Sequence, residues 1–292
     1  MTKPAPPEQS PVCEPADSAF PKVAARGGGE TTAVSIGDVA FGGEAVPVIA
    51  GPCAVESQDL ITDAARLVAD RGAAVLRGGA YKPRTSPYSF QGTGREGLEM
   101  MRRAADSAGL PLVTEVMSPA LVEEMAPVVD AFQIGARNMQ NIALLEAVGG
   151  SDRPVLLKRH FGATIREWIL AAEHIAAAGN DRIVLCERGI RSFGEETRFT
   201  LDIAGALWAK SKTRLPVIAD PSHAIGIPAL MAPTASGVVA AGLDGVMVEV
   251  HPDRSRALCD ADQALTGDQF QALIEQVGRA AEAAGRRLWR RG

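Results

Sequence analysis

Residues 46–78 read VPVIAGPCAVESQDLITDAARLVADRGAAVLRG, and this stretch decides the fold. It opens with a short run rich in β-branched residues, VPVIAG from Val46, and continues with an amphipathic run, DLITDAARLVADRG from Asp59. A second apolar run, AAVLRG, follows from Ala73. The middle run ends at Gly72, and glycine commonly caps the carboxyl end of a helix. Strand, helix and strand in this order predict a βαβ unit with two parallel strands.

The same alternation continues toward the carboxyl end of the chain. Short apolar runs alternate with amphipathic runs, and they begin at Val46, Ala73, Pro111, Ala131, Pro154, Arg182, Leu215 and Asp244. Eight such units predict a single α/β domain, a (β/α)8 TIM barrel over residues 31–292. An open doubly wound sheet is the alternative, but no G-x-G-x-x-G follows the first run.

The first 30 residues differ from the rest in composition. They are rich in proline, include Gly27-Gly28-Gly29, and show no periodic apolar pattern. We therefore predict a disordered amino-terminal tail over residues 1–30. Residues 33–48 predict a short hairpin, with one strand at 33–36 and the second after Gly42-Gly43.

Composition excludes several classes of protein. The 292-residue chain carries a formal net charge of −5 and 4% aromatic residues, which predicts no nucleic-acid surface. The basic stretch RRLWRR at 286–291 is interpreted as a solvated helix end. No run approaches about 18 apolar residues and no signal peptide is recognised, so we expect no membrane contact. The four cysteines fit neither a disulfide framework nor CxxC zinc pairs, which favours a cytoplasmic location.

Cationic residues follow several of the predicted strands. In a (β/α)8 barrel, catalytic side chains project from the carboxyl ends of the strands. Strands two, four, five and six lead to Arg77, Lys82, Arg84, Arg137, Lys158 and Arg188. Clustered cations repel one another unless an anion lies between them, and guanidinium groups suit carboxylate and phosphate. Pairing of each cation with a nearby carboxylate is the alternative, but so many cations at one end favour an anion-binding pocket.

A second set of residues at these ends offers metal ligands: Cys53, His223, Glu249 and Asp260. Strands one, seven and eight become neighbours because strand eight of a closed barrel pairs with strand one. A thiolate, an imidazole and carboxylates together suit a divalent transition ion. Taken singly, Cys53 could be a buried apolar residue and His223 a hydrogen-bonded core residue. The combination predicts a metal site, and Cys259 beside Asp260 is a candidate partner for oxidation of Cys53.

Several motifs around these residues are similar to those of a known enzyme family. They are AGPCAVES, RGGAYKPRTSPYSFQG, QIGARN, LLKR, LCERGIR, DPSHA and VEVHP. With these motifs the chain, from about Val46 to about Val277, resembles the beta subgroup of class I 3-deoxy-D-arabino-heptulosonate 7-phosphate (DAHP) synthases. The resemblance implies a metal-dependent condensation of phosphoenolpyruvate with erythrose 4-phosphate, at the entry to the shikimate pathway of aromatic amino acid biosynthesis.

The resemblance also implies roles for individual residues. The metal, a divalent Mn, Fe, Co or Zn ion, would be held by Cys53, His223, Glu249 and Asp260. Phosphoenolpyruvate would be held by Arg77, Lys82, Arg137, Lys158 and Arg188, and the aldose phosphate by Arg84 and Thr85. Glu115 and Lys158 are the candidate catalytic residues that handle protons. Because relatives are commonly dimers or tetramers, we also expect a homo-oligomer.

Three positions depart from the family pattern. His160 replaces the glycine of LLKRG, Phe199 replaces an asparagine, and Ile227-Pro228 replace a basic pair after Gly226. These changes leave open a related synthase that uses a different aldose phosphate, as in secondary metabolism or in octulosonate 8-phosphate synthesis. KPRTS, rather than a KANRS-type motif, favours the heptulosonate enzyme. A catalytically dead barrel acting as a binding partner is a further alternative, but the complete set of metal ligands argues against it.

Overall fold

The computed structural model of the chain describes residues 19–25, 31–82, 88 and 90–291. The strands are β1 Val34–Ile36, β2 Val39–Phe41, β3 Ala45–Val46, β4 Val48–Gly51, β5 Val75–Gly78, β6 Leu112–Glu115, β7 Ala131–Ile134, β8 Val155–Lys158, β9 Ile183–Glu187, β10 Val217–Ala219, β11 Val246–Glu249 and β12 Arg287–Leu288. The α-helices are α1 Gln58–Asp70, α2 Gly94–Ala108, α3 Ala120–Met125, α4 Ile142–Gly149, α5 Ile165–Ala177, α6 Ile203–Lys212, α7 Pro221–Ile225, α8 Pro228–Ala240 and α9 Gly267–Ala283.

Strands β4 to β11 form a closed barrel in which each strand is parallel to the next. Strand β11 closes the ring by pairing with β4, so that Glu249 lies opposite Gly51. Helices follow the strands around the barrel. This architecture confirms the predicted (β/α)8 TIM barrel, and each of the eight apolar runs named from the sequence contains one barrel strand. Among the described residues, no helix combines the length and apolar character needed to cross a membrane.

Local sequence explains where several helices begin. The Ser57 side chain accepts a hydrogen bond from the Leu60 amide at the start of α1. Helices α5 and α9 begin with capping boxes, in which Thr164 and Thr266 exchange hydrogen bonds with Glu167 and Gln269. Such contacts satisfy amide donors that have no partner within a helix.

Two apolar cores hold the barrel together. The larger one lies between the strands and the surrounding helices. The smaller one fills the barrel interior with inward-facing residues such as Ile49, Leu156 and Met247. The hairpin β1–β2 contributes Ile36 and Phe41 to this interior core. The hairpin therefore plugs the end of the barrel opposite the carboxyl ends of the strands.

The hairpin is formed as predicted, but its second strand was placed wrongly. Strand β2 precedes Gly42-Gly43, because the chain already turns at Gly37-Asp38. The run after the glycines is β3, which pairs in parallel with β12. The basic stretch at 286–291 was predicted to be a solvated helix end, and this prediction was wrong. The stretch contains β12, and Trp289 packs against the interior core.

Residues 19–25 differ from the disordered tail predicted over residues 1–30. Phe20 and Val23 are buried in the larger core, and Ala24 forms a bridge to Thr213. Backbone hydrogen bonds with Glu173 and Arg214 also hold this segment on the barrel. The other residues of the predicted tail lie outside the described part of the chain.

Candidate active site

The first strand and the last strand of the barrel meet at the centre of the site. Gly51 ends β4 with a φ of +153°, and a Cβ there would lie 2.0 Å from the carbonyl oxygen of Arg77. Only glycine allows this approach. The Arg77 side chain connects the ends of these two strands: its Nη1 donates to the Pro52 carbonyl at 3.0 Å and to Glu249 Oε1 at 2.8 Å.

The predicted metal ligands meet at Asp260. The ligand atoms of His223, Glu249 and Asp260 lie within 4.8 Å of one another, and so do those of Cys53, Cys259 and Asp260. Cys53 Sγ is 3.0 Å from Asp260 Oδ2. Asp260 has a φ of 53°, the one positive value found outside glycine among the described residues. The site thus consists of two groups of ligands that share a carboxylate held in an uncommon backbone conformation.

The donor atoms fit a divalent transition ion. Sulfur, imidazole nitrogen and carboxylate oxygen together suit Mn, Fe, Co or Zn rather than Mg. His223 Nδ1 lies 2.7 Å from Asp220 Oδ2, while Nε2 lies 3.4 Å from Glu249 Oε1. Burial lowers the pKa of His223, which favours a neutral ring that donates from Nδ1 and presents the Nε2 lone pair to an ion.

Asp220 belongs to the candidate site, although the sequence analysis did not name it as a site residue. Its carboxylate accepts from His223 Nδ1 and, at 2.5 Å, from Lys158 Nζ. Burial raises the pKa of Asp220, but His223 and Lys158 outweigh burial and hold this pKa well below its usual range. An ionised Asp220 therefore links the candidate metal site to Lys158. Its position three residues before His223, at the N-cap of α7, was the available signal.

Gln263 is a second residue that the sequence analysis missed. Its Nε2 donates to Glu249 Oε2 at 2.5 Å, and its Oε1 accepts from Arg198 Nη1 at 2.6 Å. Burial raises the pKa of Glu249, but His223, Arg77 and Gln263 together lower it to about 2. Glu249 is therefore ionised at neutral pH and held from both of its oxygens.

The predicted anion site surrounds Glu115. Lys82, Lys158, Arg77 and Arg137 all act electrostatically on its carboxyl group, yet burial outweighs them and raises its pKa. Glu115 Oε1, Arg77 Nε and Arg188 Nη1 are buried without a hydrogen-bond partner among the described residues. Buried polar atoms of this kind are costly unless a ligand satisfies them. The cluster thus contains two unsatisfied donor atoms and one unsatisfied carboxylate oxygen.

Pairing within the site changes the interpretation of the cations. Arg77 pairs with Glu249, Lys158 pairs with Asp220, and Lys82 Nζ lies 3.0 Å from Cys53 Sγ. The alternative of cation–carboxylate pairs therefore holds for Arg77 and Lys158, although these pairs are buried and lie inside the site. Mutual repulsion alone does not require a polyanion. The sequence-predicted aldose ligands Arg84 and Thr85 lie outside the described residues.

Two of the departures from the family pattern belong to one aromatic cluster. The ring of His160 lies 4.1 Å from that of Phe161, which stacks on Phe199 at 5.5 Å. The Arg188 guanidinium carbon is 4.6 Å from the Phe199 ring centre. Phe199 therefore presents an aromatic face to one of the predicted anion ligands, a favourable cation–π arrangement.

The third departure borders a cavity at the barrel mouth. Ile227 lines this cavity of about 550 Å³ together with Arg198, Asp260 and Gln263. An apolar side chain thus lines the same cavity as a candidate metal ligand, where the family pattern has a basic pair. Arg198 shares this cavity with the acidic residues Glu195, Glu196 and Asp262.

Comparison with known proteins identifies the family. A sequence profile described as the DAHP synthetase I family matches residues 26–284. This chain belongs to that family.

Relatives of this DAHP synthetase I family member have been described by sequence and by structure. The phospho-2-dehydro-3-deoxyheptonate aldolase of Thermotoga maritima is 46% identical over 256 residues, covering 88% of this chain and 76% of the relative. A crystal structure of that aldolase (DAHP synthase) has a TM-score of 0.88 at 44% identity, covering 91% of this chain and 78% of that chain. A structure of a truncated form of the Thermotoga maritima enzyme has a TM-score of 0.86 at 40% identity, covering 93% of this chain and 100% of that chain.

A second kind of relative makes a different product. The 2-dehydro-3-deoxyphosphooctonate aldolase of Nitratidesulfovibrio vulgaris is 32% identical over 250 residues, covering 79% of this chain and 90% of the relative. Membership of the DAHP synthetase I family confirms the resemblance inferred from the motifs. It also confirms the predicted enzyme class, a transferase of the 3-deoxy-7-phosphoheptulonate synthase type.

Proposed function

We propose that this chain condenses phosphoenolpyruvate with an aldose phosphate, erythrose 4-phosphate in the first instance, to give DAHP and phosphate. The observation that carries the proposal is the position of Asp220, which contacts both Lys158 in the anion pocket and His223 among the candidate metal ligands. Adjoining sites of this kind would hold an anionic enol and an aldehyde in the orientation that carbon–carbon bond formation needs.

The proposed ligands follow from the same arrangement. A divalent ion, Mn, Fe, Co or Zn, would be held by Cys53, His223, Glu249 and Asp260. Phosphoenolpyruvate would be held by Arg77, Lys82, Arg137, Lys158 and Arg188. When bound, the ion would supply Lewis-acid polarisation of the aldehyde carbonyl. The unpaired atoms Arg77 Nε and Arg188 Nη1 are donors that a carboxylate or phosphate would satisfy.

The chain's own residues would manage charge and protons. C3 of the enol attacks the aldehyde carbon, positive charge develops at C2, and water adds there before phosphate leaves by C–O cleavage. Lys158, which pairs with Asp220, would donate the proton that the aldehyde oxygen takes up. Glu115, whose pKa is raised by burial, is suited to exchange a proton with the attacking water. The cations around Glu115 would hold the substrate anion in position.

The second candidate function is condensation of phosphoenolpyruvate with a different aldose phosphate, and the observation that favours it is Ile227. Ile227 makes the mouth beside Asp260 less basic than the family pattern does. A heptulosonate product contains four aldose carbons in addition to the three of phosphoenolpyruvate, whereas an octulosonate product contains five. Aldose length therefore distinguishes the two kinds of relative.

Turnover with a panel of four- and five-carbon aldose phosphates tests the proposed function. We expect loss of phosphoenolpyruvate with erythrose 4-phosphate, complete suppression by a chelator, and recovery on adding a divalent transition ion. Faster turnover with a five-carbon aldose would replace the first candidate by the second. No turnover with any aldose, from protein that binds metal, would favour the dead barrel.

Gly135→Ala should separate the role of Glu115 from stability. A Cβ at Gly135 would lie 1.9 Å from Glu115 Oε1, at the far end of a flexible side chain that can move aside. We expect turnover to fall about 10–100-fold, because a catalytic group displaced by about 1 Å loses its geometry. Thermal unfolding should change little. Gly43→Ala is the matched control, since nothing lies within 4 Å of a Cβ there. Unchanged turnover in Gly135→Ala would remove Glu115 from the mechanism.

The location, the small-molecule partners and the oligomeric state of the protein remain predictions. We expect the enzyme to act in the cytoplasm, with phosphoenolpyruvate and an aldose phosphate as its small-molecule partners. We also expect a homo-oligomer, a dimer or a tetramer, which sedimentation of the purified chain would measure.

A further inference from the structure

Cys259 lies against the candidate metal site without belonging to the proposed ligand set. It directly precedes Asp260, its side chain is buried, and its Sγ is 3.1 Å from Cys53 Sγ. Its distance to Asp260 Oδ2 is 3.6 Å. Cys53, Cys259 and Ala54 form a small cluster of their own, with Phe90 packed against it. Two sulfurs and a carboxylate oxygen thus converge at one point.

We propose that Cys53, Cys259 and Asp260 form a sulfur-rich triad that binds thiophilic divalent ions such as Zn²⁺ and Cd²⁺. The triad shares Asp260 with the group of His223 and Glu249. Cys259 thereby adds a second thiolate to the site and biases its metal preference. This inference goes beyond the proposed reaction and does not depend on it.

The distances allow both sulfurs to contact one ion. With metal–sulfur bonds of about 2.3 Å, two sulfurs 3.1 Å apart can be neighbouring ligands of the same ion. Soft thiolate ligands select Zn²⁺ and related ions over Mn²⁺. Lys82 Nζ lies 3.0 Å from Cys53 Sγ, so a cationic group borders the triad.

A disulfide between the same residues is the competing explanation. Its sulfurs would have to approach to about 2.05 Å with loss of two electrons to an oxidant. Cys53 and Cys259 are present as separate thiols. Reduced protein therefore distinguishes the two chemistries, because the triad binds metal only when both sulfurs are reduced.

Cobalt spectroscopy of the full chain provides the test. Metal-stripped protein would be reduced with a phosphine, kept free of oxygen and titrated with Co²⁺. The near-ultraviolet sulfur-to-cobalt charge-transfer band grows with the number of bound thiolates. We expect Cys259→Ser to reduce this band about twofold, and to weaken Zn²⁺ binding about 10–100-fold while Mn²⁺ affinity changes little. Every protein in this test would also carry Cys13→Ser, so that the cysteine outside the described residues cannot bind Co²⁺.

Cys186→Ala is the matched control, since Cys186 is buried in β9 and belongs to neither ligand group. Its band should equal that of the parent protein. An unchanged band in Cys259→Ser, or an equal loss of Zn²⁺ and Mn²⁺ affinity, would overturn the proposal. A parent protein without this band even after phosphine treatment, and with two fewer titratable thiols, would assign a persistent disulfide and overturn the proposal. None of these readouts requires turnover, so an inactive chain with a two-thiolate band would overturn only the proposed function.

Discussion

Lys158→Ala is expected to reduce condensation by about 10³-fold or more while the barrel still folds. Lys158 ends β8, and its Nζ lies 2.5 Å from Asp220 Oδ2 and acts electrostatically on Glu115. Its removal would take away both a substrate ligand and a proton donor. The measurement is phosphoenolpyruvate loss at saturating aldose phosphate, with far-ultraviolet circular dichroism as the check on folding.

Lys210→Ala is the control for this variant. Lys210 also pairs with an aspartate, Asp244, at 2.7 Å, but this pair lies before the start of β11, at the opposite end of the barrel. Lys210→Ala should unfold at a lower temperature but keep its turnover. Near-normal turnover in Lys158→Ala would exclude Lys158 from the chemistry. Equal losses in both variants would point to a general effect of removing a lysine that pairs with an aspartate.

Asp220→Asn is expected to weaken metal binding about 10–100-fold and to reduce turnover by about 10²-fold. Lys158 Nζ and His223 Nδ1 both donate to Oδ2, whereas the His223 amide donates to Oδ1. An asparagine whose oxygen stays on the His223 amide turns its NH2 group, a donor, toward both side chains. The asparagine retains the cap of α7, because its oxygen can still accept from the His223 amide. Helix α7 should therefore remain in place.

Metal affinity is measured by competition with a chelator of known strength, and turnover by the condensation assay. Asp244→Asn is the matched control, because Asp244 is also buried and also pairs with a lysine. It should unfold at a lower temperature with unchanged metal affinity. If Asp220→Asn binds metal as tightly as the parent, Asp220 does not orient His223 for an ion.

The sequence predicted the barrel because its periodicity is local. Each strand is a short apolar run and each helix carries apolar residues at helical spacing, as with Ile61, Ala65 and Val68 in α1. Pairings between distant segments were missed for the opposite reason. No local sequence pattern at Ala45-Val46 or Arg287-Leu288 predicts that these stretches pair with each other. The docking of Phe20 and Val23 likewise depends on a surface built far along the chain.

The site shows the same division. Residues that end a strand could be predicted as mouth residues from the topology alone, and Glu115, Lys158 and Glu249 all lie there. Their partners could not be predicted, because hydrogen bonds between side chains depend on distances of a few tenths of an ångström. Gln263 on Glu249 is one example. The pairing of Arg77 with Glu249 inside the pocket is another, and it corrected the argument from repulsion.

The pairing of β11 with β4 has a consequence for how the protein becomes competent. Cys53 and Asp260, whose side chains touch, are separated by 207 positions, so the candidate metal ligands come from distant parts of the polypeptide. A ribosome must release nearly the entire catalytic domain before any ion can be captured in this way. Binding of a metal ion would therefore be a late step in biogenesis, because it becomes possible only after the barrel has closed.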